Sequence, residues 1–317
     1  MDWLQRIEVS RVLFSLECRE PGQLPAYKGS MLRGATMRGV RELACAFPDL
    51  ACSQCRLRTS CVYSHIFETP IEVMRQDFDG SHAPHPYVFE PPLDGKQDYI
   101  PGDPLDFSLL LVGDTVQKLP FLVCAVEQFE RYGLGGSRLS FRLRSVSDEQ
   151  GGSLLESTQG DVLPPRPLDL NSRLKDLLAG DALGMRFVTP LRIQHQGSIA
   201  RNLDFGLLIR NLLRRISLLA SAYGQPAEDY DYGSAIERAS RAEVTASDLR
   251  WVDLQRYSNR QGRRMDYGGL VGTMIVDDHW REFAELLVLG EAVHVGKNTS
   301  FGLGQYQLLT GEEAISD

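Results

Sequence analysis

Alternation of apolar and polar positions opens the chain. In RIEVSRVLFSLE, Ile7 and Val9 fall on one phase and Val12, Phe14 and Leu16 on the other. This predicts a strand whose change of phase marks a bulge near Ser10. After the turn-rich EPGQLPAYKG, the period lengthens: in SMLRGATMRGVRELACAF, Met31, Leu32, Ala35, Val40 and Leu43 recur at helical spacing behind Ser30, a candidate N-cap. Gly34 and Gly39 each cost about 1 kcal/mol relative to alanine inside a helix, so close packing or a ligand is expected to offset them. Further on, LDFSLLLVG predicts a strand and KLPFLVCAVEQFERYG a helix stopping at Gly133. In LSFRLRSV, Leu139, Phe141 and Leu143 share one strand face and Ser140, Arg142 and Arg144 the other.

Periodicity lapses from about Gly151 to Pro167, and the boundary between two domains, 1–165 and 166–317, is expected there. The second half then repeats the plan. MRFVTPLRIQ predicts a strand, and DFGLLIRNLLRRISLLASAYG a helix with Phe205, Leu208, Leu212, Ile216 and Leu219 on one face and Arg210 and Arg214 on the other. HWREFAELLVLGE predicts a late helix, followed by a Gly-rich loop and a last strand, GQYQLL. Each half carries a strand and an Arg-bearing helix early, then a helix, a Gly-rich loop and a strand late. Two βαββαβ units are the simplest account, an α+β class.

Length and composition agree with two ordinary domains, at 317 residues with 43% hydrophobic and 24% charged. No run has the length of a signal peptide's apolar region or of a membrane span, so a cytoplasmic chain with no membrane partner is expected. Against 34 Lys and Arg stand 42 Asp and Glu, a net charge of −8. A polyanion would find no global attraction, and any nucleic-acid site must be local. One segment reverses the sign locally: Arg250, Arg256, Arg260, Arg263 and Arg264 surround Asp253, with Trp251 and Tyr257 as aromatic faces. Arginines pair with phosphate and stack on bases; a solvated, salt-bridged face is the plainer alternative.

Two further segments carry candidate chemistry. The terminal loop HVGKNTSFGLGQY, 294–306, spaces Gly296, Gly302 and Gly304 around Lys297, Asn298, Thr299 and Ser300. Glycines allow backbone amides close to a phosphate, yet the loop lacks the Lys-Ser or Lys-Thr ending of a nucleotide P-loop. GLGGSR occupies the matching place in the first half. The cysteines read C-x6-C-x2-C-x5-C over Cys45, Cys52, Cys55 and Cys61. Outside an oxidising compartment such a cluster reads as a metal site, zinc or, by ligand count alone, a [4Fe-4S] cluster. Cys18 and Cys124 sit in apolar patterns and are expected to pack.

HVGKNTSFGLGQY, WVDLQRYSNRQGRRMDYGGLVG and GSMLRGATMRGVREL together resemble the CRISPR-associated RAMP endoribonucleases, the sixth Cas family. The resemblance implies tandem ferredoxin-like (RRM-like, RAMP) domains, here with a small four-cysteine insertion in the first. It implies binding of CRISPR repeat RNA and cleavage of precursor crRNA without a catalytic metal, by attack of a ribose 2′-hydroxyl. The alternative is a non-cleaving subunit holding the repeat-derived end of crRNA in an effector complex. RNA contacts are expected from Arg33, Arg38, Arg256, Arg260, Arg263, Gly296, Lys297, Asn298, Ser300, Gly302 and Gly304. Many members of the family place a histidine in or near the first helix, whereas 27–47 holds none here. The expected substitutes are Tyr27, Lys28 and His294. His65, His82, His85, His195 and His279 have no spacing that marks them.

Overall fold

The computed structural model describes residues 4–74, 83–155, 160–180, 182–226, 229–258 and 263–310. The chain divides into two compact units, Ile7–Leu168 with Ser221–Pro226, and Met1–Arg6 with Asp169–Ala220 and Ala227–Asp317.

In the first unit β1 (Val9–Cys18), α1 (Gly29–Ala44), β2 (Tyr87–Glu90), β3 (Pro104–Val112), α2 (Leu119–Glu127) and β4 (Phe141–Asp148) follow in sequence. The strands form one antiparallel sheet in the order β2-β3-β1-β4. Counted along the chain this is 2-3-1-4, the arrangement of a βαββαβ unit. Val12, Phe14, Leu16 and Cys18 alternate into a core shared with Leu32, Val40, Leu122 and Val126. Phe14 stacks on Phe107 at 5.0 Å. Gly39 allows α1 onto α2, because a Cβ there would stand 2.8 Å from the Cβ of Ala125. Gly34 faces open space instead.

Two local expectations are corrected. No bulge sits at Ser10: β1 pairs with β3 in unbroken register from Val9↔Val112 to Glu17↔Pro104. Both Val9 and Ser10 are buried, so covering of both faces accounts for the phase change. The irregularity lies in β4, where Ser145 opposes Ser15 and Leu143 opposes Leu16, leaving Arg144 as the extra residue. Ser30 is not the N-cap; α1 starts at Gly29 after Lys28, without a side-chain cap.

The second unit holds α3 (Leu170–Ala179), β5 (Leu183–Leu191), α4 (Phe205–Tyr223), α5 (Tyr232–Ala239), β6 (Val244–Ser247), β7 (Arg250–Val252), β8 (Gln255–Ser258), β9 (Arg263–Asp266), β10 (Gly269–Val276), α6 (Ala284–Val293) and β11 (Tyr306–Thr310). Its main sheet runs β6-β10-β5-β11, again 2-3-1-4 and antiparallel, with β7 also on β10. Phe205, Leu208, Leu212, Ile216 and Leu219 are fully buried. Their spacing on α4 puts them on one face, while Arg210 and Arg214 stay exposed.

Candidate nucleic-acid interface and active site

The terminal loop is built from both ends. On α4, Arg215 donates from Nε and Nη2 to the carbonyl of Val293, the last residue of α6, at 2.9 and 2.7 Å. Burial pulls this guanidinium down to about 10. His294 follows at φ 61, ψ 172, a region in which a side chain is costly. Gly133 holds the same place in the first unit at φ 68, ψ 169. The His294 imidazole is fully buried, with Nδ1 3.3 Å from the carbonyl of Leu303.

Glycines here fold the loop onto itself. A Cβ on Gly304 would collide with the carbonyl oxygen of Val295, and one on Gly296 would stand 2.6 Å from that of Arg192. The Val295 amide donates to Gly304 and that of Lys297 to Arg192, at 3.0 and 2.8 Å. Thr189 Oγ1 donates to the Gly302 carbonyl at 2.8 Å and accepts from the Gln305 amide at 2.9 Å. Lys297 is exposed and Asn298 half-buried, whereas Thr299 and Ser300 are buried. His294 and Ser300, both expected to face a ligand, are buried here, and the His294 imidazole approaches the loop's own Leu303 carbonyl.

In the Arg-rich segment, β8 and β9 pair as a hairpin, Gln255↔Asp266 through Ser258↔Arg263, which sets Arg256 opposite Met265. Arg260 lies outside the described residues. On β7 Arg250 is exposed. Trp251 donates from Nε1 to Asp253 at 2.9 Å, and Arg201 stands 4.4 Å over its ring. One face of this indole is thus taken by a cation.

Around the start of α1 the groups are less free than their types suggest. Lys28 is fully buried; its Nζ donates to the carbonyls of Lys96 and Ala26 at 2.6 and 3.3 Å and lies 3.7 Å from Asp94. Burial lowers its pKa, and Asp94 opposes that shift. Tyr27 is half-buried, and burial raises its hydroxyl well above 10. Arg33 donates from Nε to the Tyr87 hydroxyl at 2.6 Å, while Arg38 is exposed.

Beside α1 lies a cluster that no sequence spacing marked. His65 Nε2 is 3.2 Å from Thr115 Oγ1 and 3.6 Å from the Asp114 carboxylate. Its side chain is 17% exposed, and burial lowers its pKa from 6.5 although Asp114 pulls the other way. Thr69 Oγ1 donates to the His65 carbonyl and stands 3.2 Å from His85 Nδ1. His85 stacks on Tyr87, the partner of Arg33. Two half-buried imidazoles, one carboxylate and one guanidinium thus belong to one neighbourhood. His82 lies outside the described residues.

The four cysteines Cys45, Cys52, Cys55 and Cys61 are half-buried free thiols that line one pocket with Tyr63 and Ser64. Among the described residues no three His, Cys, Asp or Glu side chains stand as a ready metal group. The metal site expected at these four thiols is therefore not supported by their present arrangement. Cys124 is exposed on α2, against the expectation of packing.

With this geometry in place, two family models match the chain. One, described as an N-terminal domain, covers 7–167. The other, the CRISPR-associated endoribonuclease Cas6, covers 185–306, from β5 through the terminal loop. The Cas6 model thus matches 122 of the 317 residues, all of them in the second half of the chain. Among solved structures it is similar to a partial Cas6-RT-Cas1–Cas2 complex, with 13% identity over 97% of this chain and TM-score 0.60. It covers only 47% of that chain, so it spans about half the length of this relative. It is also similar to Thermus thermophilus Cas6, with 15% identity, 96% and 99% of the two chains covered and TM-score 0.55. A Cas6 product complex gives 16% identity, 95% and 99% coverage and TM-score 0.55. At these identities the likeness is one of fold. No curated protein matches at the same stringency. No helix of the described residues is long and apolar enough to cross a membrane.

Proposed function

We propose that this chain is a Cas6-type endoribonuclease that binds CRISPR repeat RNA and cleaves precursor crRNA into guides. The carrying observation is the Cas6 match over 185–306, which takes in both the Arg-rich hairpin and the terminal loop. Arg256, Arg260 and Arg263, with exposed Lys297 and Arg38, supply the local positive charge that the chain as a whole lacks. Replacing Arg256 and Arg263 by alanine is expected to weaken repeat binding and to flatten its salt dependence, since fewer counterions are released. An unchanged slope in the folded variant overturns this placement.

For the chemistry we favour the cluster beside α1. His65, neutral at pH 7, takes the proton of a ribose 2′-hydroxyl; the oxygen attacks the adjacent phosphorus and the bond to the 5′-oxygen breaks. His85 protonates that leaving oxygen, so the products end in a 2′,3′-cyclic phosphate and a 5′-hydroxyl. No metal enters this step. Tyr27 is too weak an acid to serve as base and orients RNA; Lys28 and His294 hold their segments in place. Single-turnover cleavage is expected to fall about 100-fold or more in His65→Asn and His85→Asn. Wild-type rates in both variants sink the assignment. Tight binding without any cleavage by the wild type favours the non-cleaving subunit of an effector complex.

A further inference from the structure

The segment 45–61 is ordered without a core. Its turns are closed by backbone hydrogen bonds: Leu50 to Phe47, Gln54 to Ala51, Cys55 to Cys52, Arg58 to Cys55 and Cys61 to Leu57, at 2.8–3.1 Å. Yet none of its residues is buried, and Phe47 and Leu57 are 50% and 42% exposed. A segment that buries so little apolar surface needs another restraint to offset the entropy of ordering.

Its least exposed positions suggest that restraint. They are the four cysteines together with Leu50 and Arg58, all lining one pocket. Cys52 and Cys55 are the two ends of a single tight turn. Cys45 follows the last turn of α1, and Cys61 leads into the turn Ser64–Glu68. Four thiolates around a divalent cation leave a net charge of about −2. Two arginines stand nearby: Arg41, at the end of α1, donates to the Pro48 carbonyl at 2.8 Å, and Arg58, which pairs with Glu72, lines the pocket.

We propose that Cys45, Cys52, Cys55 and Cys61 close around one structural zinc ion that clamps this segment to the end of α1. Closure needs the thiols to rotate from their present arrangement toward one point in the pocket that they line. All four ligands come from protein, leaving no open position, so the ion has no part in RNA cleavage. The inference is independent of the RNA reading.

Elemental analysis of the full chain, purified without chelator, is expected to give about one zinc per chain. The Cys52→Ser/Cys55→Ser variant should lose it, while Cys124→Ser, at an exposed thiol outside the pocket, should keep it. If the double variant does not fold, cobalt exchanged into the wild type supplies a second reading: thiolate-to-cobalt absorption and a tetrahedral visible spectrum are expected. Four titratable thiols without metal, two disulfides, or iron with acid-labile sulfide would each overturn the assignment.

Discussion

His294 carries a conflict that can be measured. At φ 61, ψ 172 a residue with a Cβ costs about 1–3 kcal/mol, a cost that glycine escapes. The imidazole offsets this by complete burial and by its approach to the Leu303 carbonyl at 3.3 Å. His294→Ala and His294→Gly both remove the imidazole, so they differ in the backbone alone. Alanine keeps the strain; glycine relieves it but adds about 0.4–1 kcal/mol of unfolded-state entropy to be lost on folding. The glycine variant should therefore be the more stable of the two by about 1–2 kcal/mol. The alanine variant, which keeps the strain, should fall below the wild type, since a buried hydrogen-bonding partner is lost at about 1–3 kcal/mol. In a unit of this size 1 kcal/mol corresponds to about 2–4 °C. Thermal unfolding followed by the fluorescence of buried Trp280, in the same unit, can read the difference. An alanine variant as stable as the glycine variant refutes the strain argument. An alanine variant with wild-type stability refutes the anchoring role.

Two stability predictions rest on the first unit. Gly39→Ala sets a Cβ against Ala125 and should destabilise by about 1–3 kcal/mol. Gly34→Ala, which meets nothing within 4 Å, should stabilise by about 1 kcal/mol; denaturant midpoints in the opposite order contradict the helix packing. Hydrogen bonds from Arg166 at 2.7 and 2.9 Å hold the Asp148 carboxyl well below the usual carboxylate range, against the effect of burial. Because the folded pKa is the lower one, this stabilisation is complete above 3.8 and is lost as the pH falls below it. Asp148→Asn should lower stability at neutral pH and flatten the acid limb; an acid limb as steep as wild type counts against the pair.

Much of the architecture could be read from period. The alternation of Val12, Phe14 and Leu16 and the helical stripe of Phe205, Leu208, Leu212 and Ile216 both become buried faces, because each period matches one element's geometry. The helix Leu170–Ala179 leaves only a faint pattern in the sequence, although Asp169 accepts from the Ser172 amide at 3.0 Å as an N-cap. Its single buried residue, Leu177, left a weak stripe. The terminal loop was legible as a special segment but not in its direction: glycine content alone does not separate close approach to a ligand from close approach to Val295 and Arg192. The His65, Asp114 and His85 neighbourhood is assembled by tertiary structure across different segments, so no local spacing could announce it.

The most direct measurement is single-turnover incubation of the wild-type chain with its own repeat RNA in excess EDTA. Cleavage at one position is expected, leaving a 2′,3′-cyclic phosphate and a 5′-hydroxyl, at a rate unchanged by added magnesium. Intact RNA, or cleavage that appears only when magnesium is restored, would contradict it.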